Sequence, residues 1–417
     1  GGEANIRVKY RAEPLRVRNY RCVKLVVKVL KGGHSGIQIV EQRANANKLL
    51  FRFIREQKKS MDILLCSVDG GGLRNAIPRE ATATLMVRTK DLEQLTKELK
   101  AYEKVVKAEF AGIEDAISIK LTETEAPETM IAKEVAENLI RAVVGCPNGV
   151  QKMSVSMPGL VQTSSNLARV VSDGKTVKLQ CLLRSSVNSE KEELGEAISA
   201  VFELAGAKVE LTGAYNGWKP NLDSPILAAM KASYKALFGK EPAVTAIHAG
   251  LACGLIGTNY PKLAMISFGP PICYPHSPDE KVNSASVGKF YEFLLAAFKN
   301  MAAHLAEGGS AYIFHADTEG LNFRRAFKEA GFHISGVCIW VKNSLVLGRS
   351  PYQWQHEPVL YGWLPNGKHK WFSDRKQSPV WKFDKPPRRK EHPTMKPIPL
   401  PASPINNNSA PNGLVLD

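Results

Sequence analysis

Val23-Lys-Leu-Val-Val-Lys-Val29 runs into Lys31-Gly-Gly-His-Ser-Gly36 and then Arg43-Ala-Asn-Ala-Asn47. The aliphatic, β-branched run predicts a strand. The glycines at 32, 33 and 36 predict a turn whose backbone takes positive φ and can approach a ligand closely. Leu49, Leu50, Phe53 and Ile54 recur at helical spacing and predict a helix over 38–57. The unit is strand, glycine turn, helix, with His34 at an exposed turn tip. Taken alone, that histidine reads as an ordinary turn residue; the rest of the chain decides otherwise.

Working outward, Ile63-Leu-Leu-Cys-Ser-Val68 predicts a second strand, leading into a glycine loop, Asp69-Gly-Gly-Gly72. Arg79 to Arg88 alternates with period two and predicts a third strand, 91–113 an amphipathic helix, and 117–122 a fourth strand. The order βαββαβ is that of a ferredoxin-like layer of helices on an antiparallel sheet. A partial second copy follows: a helix at 132–145, strands at 160–171 and 176–184, a helix at 188–205 and a strand at 207–212. Two such halves can share one long sheet. Ala214-Tyr-Asn-Gly-Trp-Lys-Pro220 breaks the pattern. Beyond it come helices at 225–238 and 285–305, with strands near 243–248 and 262–268 between them.

At 417 residues the chain has room for two or three cores, and its 44% apolar and 23% charged content is that of a soluble protein. No apolar run is long enough for a membrane span, and Gly-Gly-Glu-Ala-Asn at the start has no signal-peptide pattern. Seven cysteines stand singly without a CxxC pair, which suits reduced thiols and a cytoplasmic setting. The net charge of +16 is uneven: residues 309–417 carry 15 Lys and Arg against 8 Asp and Glu, and five of the six tryptophans. A basic, tryptophan-rich end suggests a nucleic-acid partner, set against the plainer reading of a solvated basic face. The shift in composition predicts two unrelated segments joined near residue 305.

Gly269-Pro-Pro-Ile-Cys-Tyr-Pro-His-Ser-Pro-Asp-Glu280 places His276 after an apolar strand, beside Asp279 and Glu280, where an imidazole can ligate zinc. GGHSG, RANAN, GGGLRNAIPREA, CLLRSS, YNGWKP, IHAGLACG and GPPICYPHSPDE together make residues 1 to 304 closely resemble the aminoacyl-histidine dipeptidases, or cytosol non-specific dipeptidases, of the zinc exopeptidase clan. The resemblance implies a two-zinc α/β catalytic domain interrupted by a dimerising lid. It implies residues 1–19 as a remnant of the catalytic domain, 20–212 as the lid, and 213–304 as the last part of the catalytic domain. His276 matches the late metal-ligand histidine. His34 matches the lid histidine that donates to the carbonyl oxygen as it becomes an oxyanion, often across the dimer. Arg184 matches a position that holds the substrate carboxylate, and Asn166 is a further candidate in that pocket, or else an Asx-turn residue. Two departures stand out. The early His-x-Asp, bridging Asp, Glu-Glu and further Asp of the dinuclear site have no counterpart before Cys22, and the usual Glu of HAGLECG is Ala252. One histidine cannot hold two zinc ions, so an inactive chain is expected.

Residues 309–417 hold a second set: strands at 309–315 and 336–341, a helix at 322–330, Tyr352-Gln-Trp-Gln-His-Glu-Pro358, His392-Pro-Thr-Met-Lys-Pro397 and Gly413-Leu-Val-Leu-Asp417. They resemble the amino-methylating DNA methyltransferases in circularly ordered form. The resemblance implies a flipped-base pocket around His356, Glu357 and Pro358. It also implies an S-adenosylmethionine pocket opened by His392, Pro393 and Lys396. The Asp-Pro-Pro-Tyr-type motif and the cofactor's glycine loop are not in the sequence, so this site too is expected to be incomplete. Pro399, Pro401 and Pro404 crowd the helix that should follow.

The expectation is therefore an α/β and α+β chain: a ferredoxin-like lid, a partial zinc-peptidase α/β domain and a partial methyltransferase α/β fragment. Its expected activity is metal-dependent dipeptide hydrolysis by kinship. The alternatives are a DNA-binding or methyl-transferring fragment, and a non-catalytic dimerising module. A homodimer through the lid, a dipeptide substrate, non-specific DNA binding by the tail and no membrane partner complete it.

Overall fold

The computed structural model describes all residues except 215, 247–264, 274–280, 348–350, 385–395, 398, 412 and 414–417. The chain divides into two compact units, Gly1–Pro220 with Thr245–Pro261, and Asn221–Val244 with Lys262–Asp417.

The first unit is built on one antiparallel sheet. In chain order its strands are β1 (Gly2–Lys9), β2 (Glu13–Pro14), β3 (Tyr20–Lys28), β4 (Ile63–Gly71), β5 (Ala81–Arg88), β6 (Ser118–Glu123), β7 (Thr129–Met130), β8 (Gly149–Met153), β9 (Val161–Ser172), β10 (Thr176–Ser185) and β11 (Lys208–Thr212). The helices are α1 (Ala46–Gln57), α2 (Leu92–Glu109), α3 (Lys133–Gly145) and α4 (Asn188–Glu203). The sheet order is β11-β1-β10-β9-β4-β5-β3-β6, with β8 pairing β9 off this path. The order β6-β3-β5-β4 is that of a ferredoxin-like unit, as the alternation of residues 23–122 predicts. The order β11-β1-β10-β9 repeats it, with β1 as first strand and α3 and α4 as its helices.

Of residues 1–19, expected as a remnant of another domain, Gly2–Lys9 forms a strand of this sheet. Gly2–Lys9 pairs on one side with Thr176–Leu183 and on the other with Lys208–Thr212. Ala4, Ile6 and Val8 are buried at alternate positions, which gives the strand one committed face. The whole first half is inserted between β1 and α3, and the two-residue pairing of β2 with β7 closes the neck of that insertion. The two halves meet where Asp69–Gly71 of β4 pairs with Arg169–Val171 of β9.

All four helices lie against one continuous core. Leu50, Phe51, Phe53 and Ile54 of α1, Leu95 and Val106 of α2, Leu139 and Val143 of α3, and Ile198 and Phe202 of α4 pack with Leu25, Val27, Leu85, Val170 and Leu179 of the sheet. The opposite face carries a smaller cluster, Cys22, Leu64, Cys66 and Met86. Helix α1 starts later than its apolar spacing predicts. Asn45 caps it, its side-chain oxygen accepting from the N–H groups of Asn47 and Lys48 at 3.0 and 3.3 Å. Residues 39–41 form only a 3-10 turn.

In the second unit, α5 (Pro225–Phe238) and α6 (Ser284–His304) pack together, with Tyr234 edge-on to Phe293. The predicted strands near 243–248 and 262–268 do not form at residues 243–246 and 265–268; their remainder lies outside the described residues. After a two-stranded ribbon, β12 (Ile272–Cys273) with β13 (Lys281–Val282), come β14 (Ser310–Phe314), α7 (Gly320–Glu329), β15 (His333–Val346), β16 (Trp354–Trp363), β17 (Val380–Lys382) and α8 (Pro399–Asn408). The sheet order is β14-β16-β15-β17, antiparallel except for β15 with β17. Phe298 of α6 shares a core with Ala311, Phe327, Phe332 and Leu360, so the join expected near residue 305 runs through packed side chains. Helix α8 forms despite its prolines: Pro399 and Pro401 fall in its first turn, where no intrahelical donor is lost, and only Pro404 is interior. No helix among the described residues is long and apolar enough to cross a membrane.

Candidate functional site

Three of the residues singled out by sequence meet at one place in the first unit. The turn 31–37 is held against the segment 73–77: Ser35 N–H donates to Asn75 O at 2.8 Å, Ile77 N–H donates to Gly33 O at 2.8 Å, and His34 bridges to Ala76. Gly32 and Gly33 have φ of 64° and 121°, the left-handed region that the glycine turn predicts. His34 stands in this turn half-buried rather than at a fully exposed tip. Its Nδ1 accepts from the N–H groups of Gly36 and Ile37, both at 3.2 Å. A nitrogen that accepts carries no hydrogen, so the neutral ring holds its proton on Nε2 and presents it as a donor.

Arg184 lies on β10 opposite Ser164 of β9 and is 7% exposed. A Cβ placed on Gly36 would lie 3.0 Å from His34 Cε1 and 3.2 Å from the Arg184 guanidinium carbon. Imidazole and guanidinium thus flank one backbone position, and only a glycine leaves them room. Asn166, on β9, is 1% exposed. Its amide nitrogen donates to Arg74 O at 3.2 Å and Ala76 O at 2.8 Å, on the segment that pairs with His34. Its Oδ1 is buried without a hydrogen-bond partner among the described residues. It sits in a regular strand, which replaces the Asx-turn alternative. Such an orphaned acceptor is costly and points to a group that completes it.

The remaining candidates fall elsewhere. His276, with Asp279 and Glu280, and the Ala252 position lie outside the described residues, as do His392 and Pro393. Among the described residues no three His, Cys, Asp or Glu side chains group so as to hold a metal ion. The donors described therefore do not fit a two-zinc centre. In the second unit, His356, Glu357 and Pro358 belong to β16, an inner strand of its sheet, where the sequence suggested a pocket-forming stretch. Lys342 and Lys396 reach the Glu357 carboxylate at 2.8 and 3.0 Å. Burial works against that charge, but the two lysines hold the carboxyl below its usual range. Lys396 also lies over the rings of Phe314 and Trp340.

Residues 26–114 match the sequence profile of the peptidase dimerisation domain. The cytosol non-specific dipeptidase of Escherichia coli (strain K12) is 38% identical over 284 residues, which are 68% of this chain and 59% of that protein. The aminoacylhistidine dipeptidase of Vibrio alginolyticus superposes with a TM-score of 0.65 at 37% identity, over 71% of this chain and 61% of that one. The chain spans about three fifths of the length of these two relatives. Over the matched part it is similar to these dipeptidases, which are hydrolytic enzymes. The M1.HpyAVI–SAM complex matches 30% of this chain and 62% of that one at 21% identity, with a TM-score of 0.25.

Two residues of this neighbourhood escape the sequence motifs. Glu114 is 2% exposed and bonds the backbone at both ends of the His34 loop. Glu190, on α4, accepts from Lys152, Gln162 and Thr163, beside the strand ends that carry Arg184. Both bond across long sequence separations, so no local pattern marks them.

Proposed function

We propose that the first unit of this chain is the substrate-holding lid of a metal-dependent dipeptidase, acting on dipeptides as a homodimer in the cytoplasm. The convergence of His34 and Arg184 on Gly36, with Asn166 tied to the same segment, carries this reading. Arg184 supplies a planar fork that fits a terminal carboxylate with two parallel hydrogen bonds. Asn166 Oδ1 supplies an acceptor for an N–H of the peptide. His34 Nε2–H supplies a donor to the scissile carbonyl oxygen, whose negative charge grows as the carbon becomes tetrahedral. A preorganised donor of that kind stabilises a transition state by about 2.7–4 kcal/mol. A zinc-activated water is what the dipeptidase likeness would add. The described residues do not assemble its ligands, and we expect the isolated chain to bind dipeptide without hydrolysing it.

Titration calorimetry with alanyl-histidine and its C-terminal amide tests the reading. The free acid should bind, and the amide or the Arg184→Met variant should lose at least about tenfold, the worth of one charged hydrogen-bond pair. Equal affinity of acid and amide, or no change in Arg184→Met, would remove the carboxylate role.

A second reading concerns the second unit alone. Exposed Lys368, Lys370, Arg375 and Lys376 flank Trp371 and the exposed Phe372 along the chain. Basic side chains interleaved with rings suit phosphates and base faces, so we expect weak, sequence-independent DNA binding. Binding that persists unchanged between 50 and 500 mM salt, or that is absent at 50 mM, would refute it.

A further inference from the structure

The loop that carries His34 is tied at both ends to one buried carboxylate. Glu114, in the turn between α2 and β6, accepts from Lys31 N–H at 2.8 Å through Oε2 and from Ala44 N–H at 3.2 Å through Oε1. Lys31 opens the glycine turn, and Ala44 immediately precedes Asn45, the cap of α1. A carboxylate is costly to bury unless its oxygens are bonded, and here both bond backbone donors rather than another charge.

The same two ends hold unusual backbone. Val29 and Gln42 have φ of 65° and 53°, a region that non-glycine residues seldom occupy and β-branched ones least of all. Such conformations persist only where the surroundings over-determine them. Each anchor on Glu114 lies two residues after one of them, Lys31 after Val29 and Ala44 after Gln42. Within the anchors, Arg43 Nη1 donates to Gly32 O at 2.6 Å and His34 N–H donates to Gln38 Oε1 at 2.9 Å. A continuous set of bonds runs from the Glu114 carboxylate to the turn in which Gly36 and Ile37 occupy His34 Nδ1.

We propose that Glu114 is a positioning residue that clamps the 31–44 loop shut and thereby holds His34 as its Nε2–H tautomer, facing Arg184. The proposal rests on reading His34 as the donor to the substrate carbonyl, but its test does not use substrate. Long-range proton–nitrogen NMR of the full chain, labelled with nitrogen-15 histidine, reads the two ring nitrogens separately. In the wild type, His34 should show one unprotonated nitrogen, Nδ1, and one protonated nitrogen, Nε2. Glu114→Gln keeps the size but replaces one acceptor with a donor, so one end of the loop is released. The two His34 nitrogens should then move toward the averaged values of a tautomer-exchanging imidazole, while the β9 and β10 amides keep their shifts. A merely structural role would move the sheet amides and leave the tautomer alone. His34 nitrogens unmoved in Glu114→Gln would overturn the proposal. Should that variant not fold, Glu114→Asp, which keeps the charge on a shorter arm, is read by the same criterion; if neither folds, Glu114 is a folding element and the proposal falls. Failure of the dipeptide reading shows separately, as a wild-type His34 signal indifferent to alanyl-histidine.

Discussion

Replacing Gly71 by alanine should loosen the seam between the two halves of the long sheet. Gly71 ends β4 with φ of 76°, and a Cβ there would overlap the carbonyl oxygen of Ala168. The left-handed backbone costs an alanine about 1–2 kcal/mol. Forcing a methyl group into a filled space adds about 1–3 kcal/mol. The obstacle is backbone on β9, which cannot rotate away as a side chain would. The rungs at risk are those of Asp69–Gly71 with Arg169–Val171, the direct pairing between the halves. We expect a total loss of about 2–5 kcal/mol, which lowers Tm by at least about 4 °C in a unit of this size. Gly72 is the internal control: no atom lies within 4 Å of its would-be Cβ, and Gly72→Ala should stay within about 0.5 kcal/mol of wild type. Urea unfolding followed by far-ultraviolet circular dichroism gives both midpoints. Equal midpoints for the two variants would show that the seam yields at no cost, and the packing argument would be wrong.

Three further outcomes are expected. Arg52 of α1 bonds the Glu109 carboxylate of α2 at 2.7 and 2.9 Å and holds that carboxyl below its ordinary 4.5. A lowered carboxyl contributes stability that is complete above 4.5 and fades as pH falls through the folded value. Tm should therefore drop below about pH 4.5 less steeply in Glu109→Gln, by the roughly 0.2–1 kcal/mol of an exposed pair, and an identical pH profile would refute this. Burial pushes the Cys66 thiol up to about 12, whereas Cys273 is exposed. An aromatic disulfide reagent at pH 8 should thus label Cys273 in the native chain and Cys66 only in urea; equal native rates would refute it. Zinc titrated into the chain should bind weakly, because the described residues group no three ligands, and tight stoichiometric zinc would show that ligands beyond them, or from a second copy, complete a centre.

Local pattern carried the helices and most strands, because apolar spacing is imposed by burial on one face. It did not carry several others, and the two longest of these were missed for different physical reasons. Ala4-Asn-Ile-Arg-Val8 alternates as cleanly as Ala81–Arg88 does, but its neighbours are Thr176–Leu183 and Lys208–Thr212. Nothing local distinguishes a strand whose partners lie so far along the chain from a loose end. Trp354–Trp363 failed for the opposite reason. His356, Glu357 and Pro358 interrupt its apolar run, so no strand is read there and the stretch stands only as a pocket-forming one. It stands inside the sheet because Lys342 and Lys396 neutralise Glu357 from other elements, and because Val359 and Leu360 are fully buried. A charge paired in space is indistinguishable, in sequence, from a charge facing water.

The same distinction separates what was visible of the site from what was not. His34, Arg184 and Asn166 are named by their side chains: a proton donor, a fork for an anion, an amide. Groups that touch a ligand must be of the right chemical type, and type is what a sequence displays. Glu114 bonds only backbone, and backbone N–H groups are the same at every residue. A residue that works through them leaves no complementary partner to find, and becomes visible only when the chain is folded. On the proposed reading the lid must aim an imidazole at a charge that exists only fleetingly, and a donor misplaced by about 1 Å loses much of its effect. Fixing the loop through its own backbone meets that demand, since it removes the loop's freedom without placing a second ionic group beside the ligand.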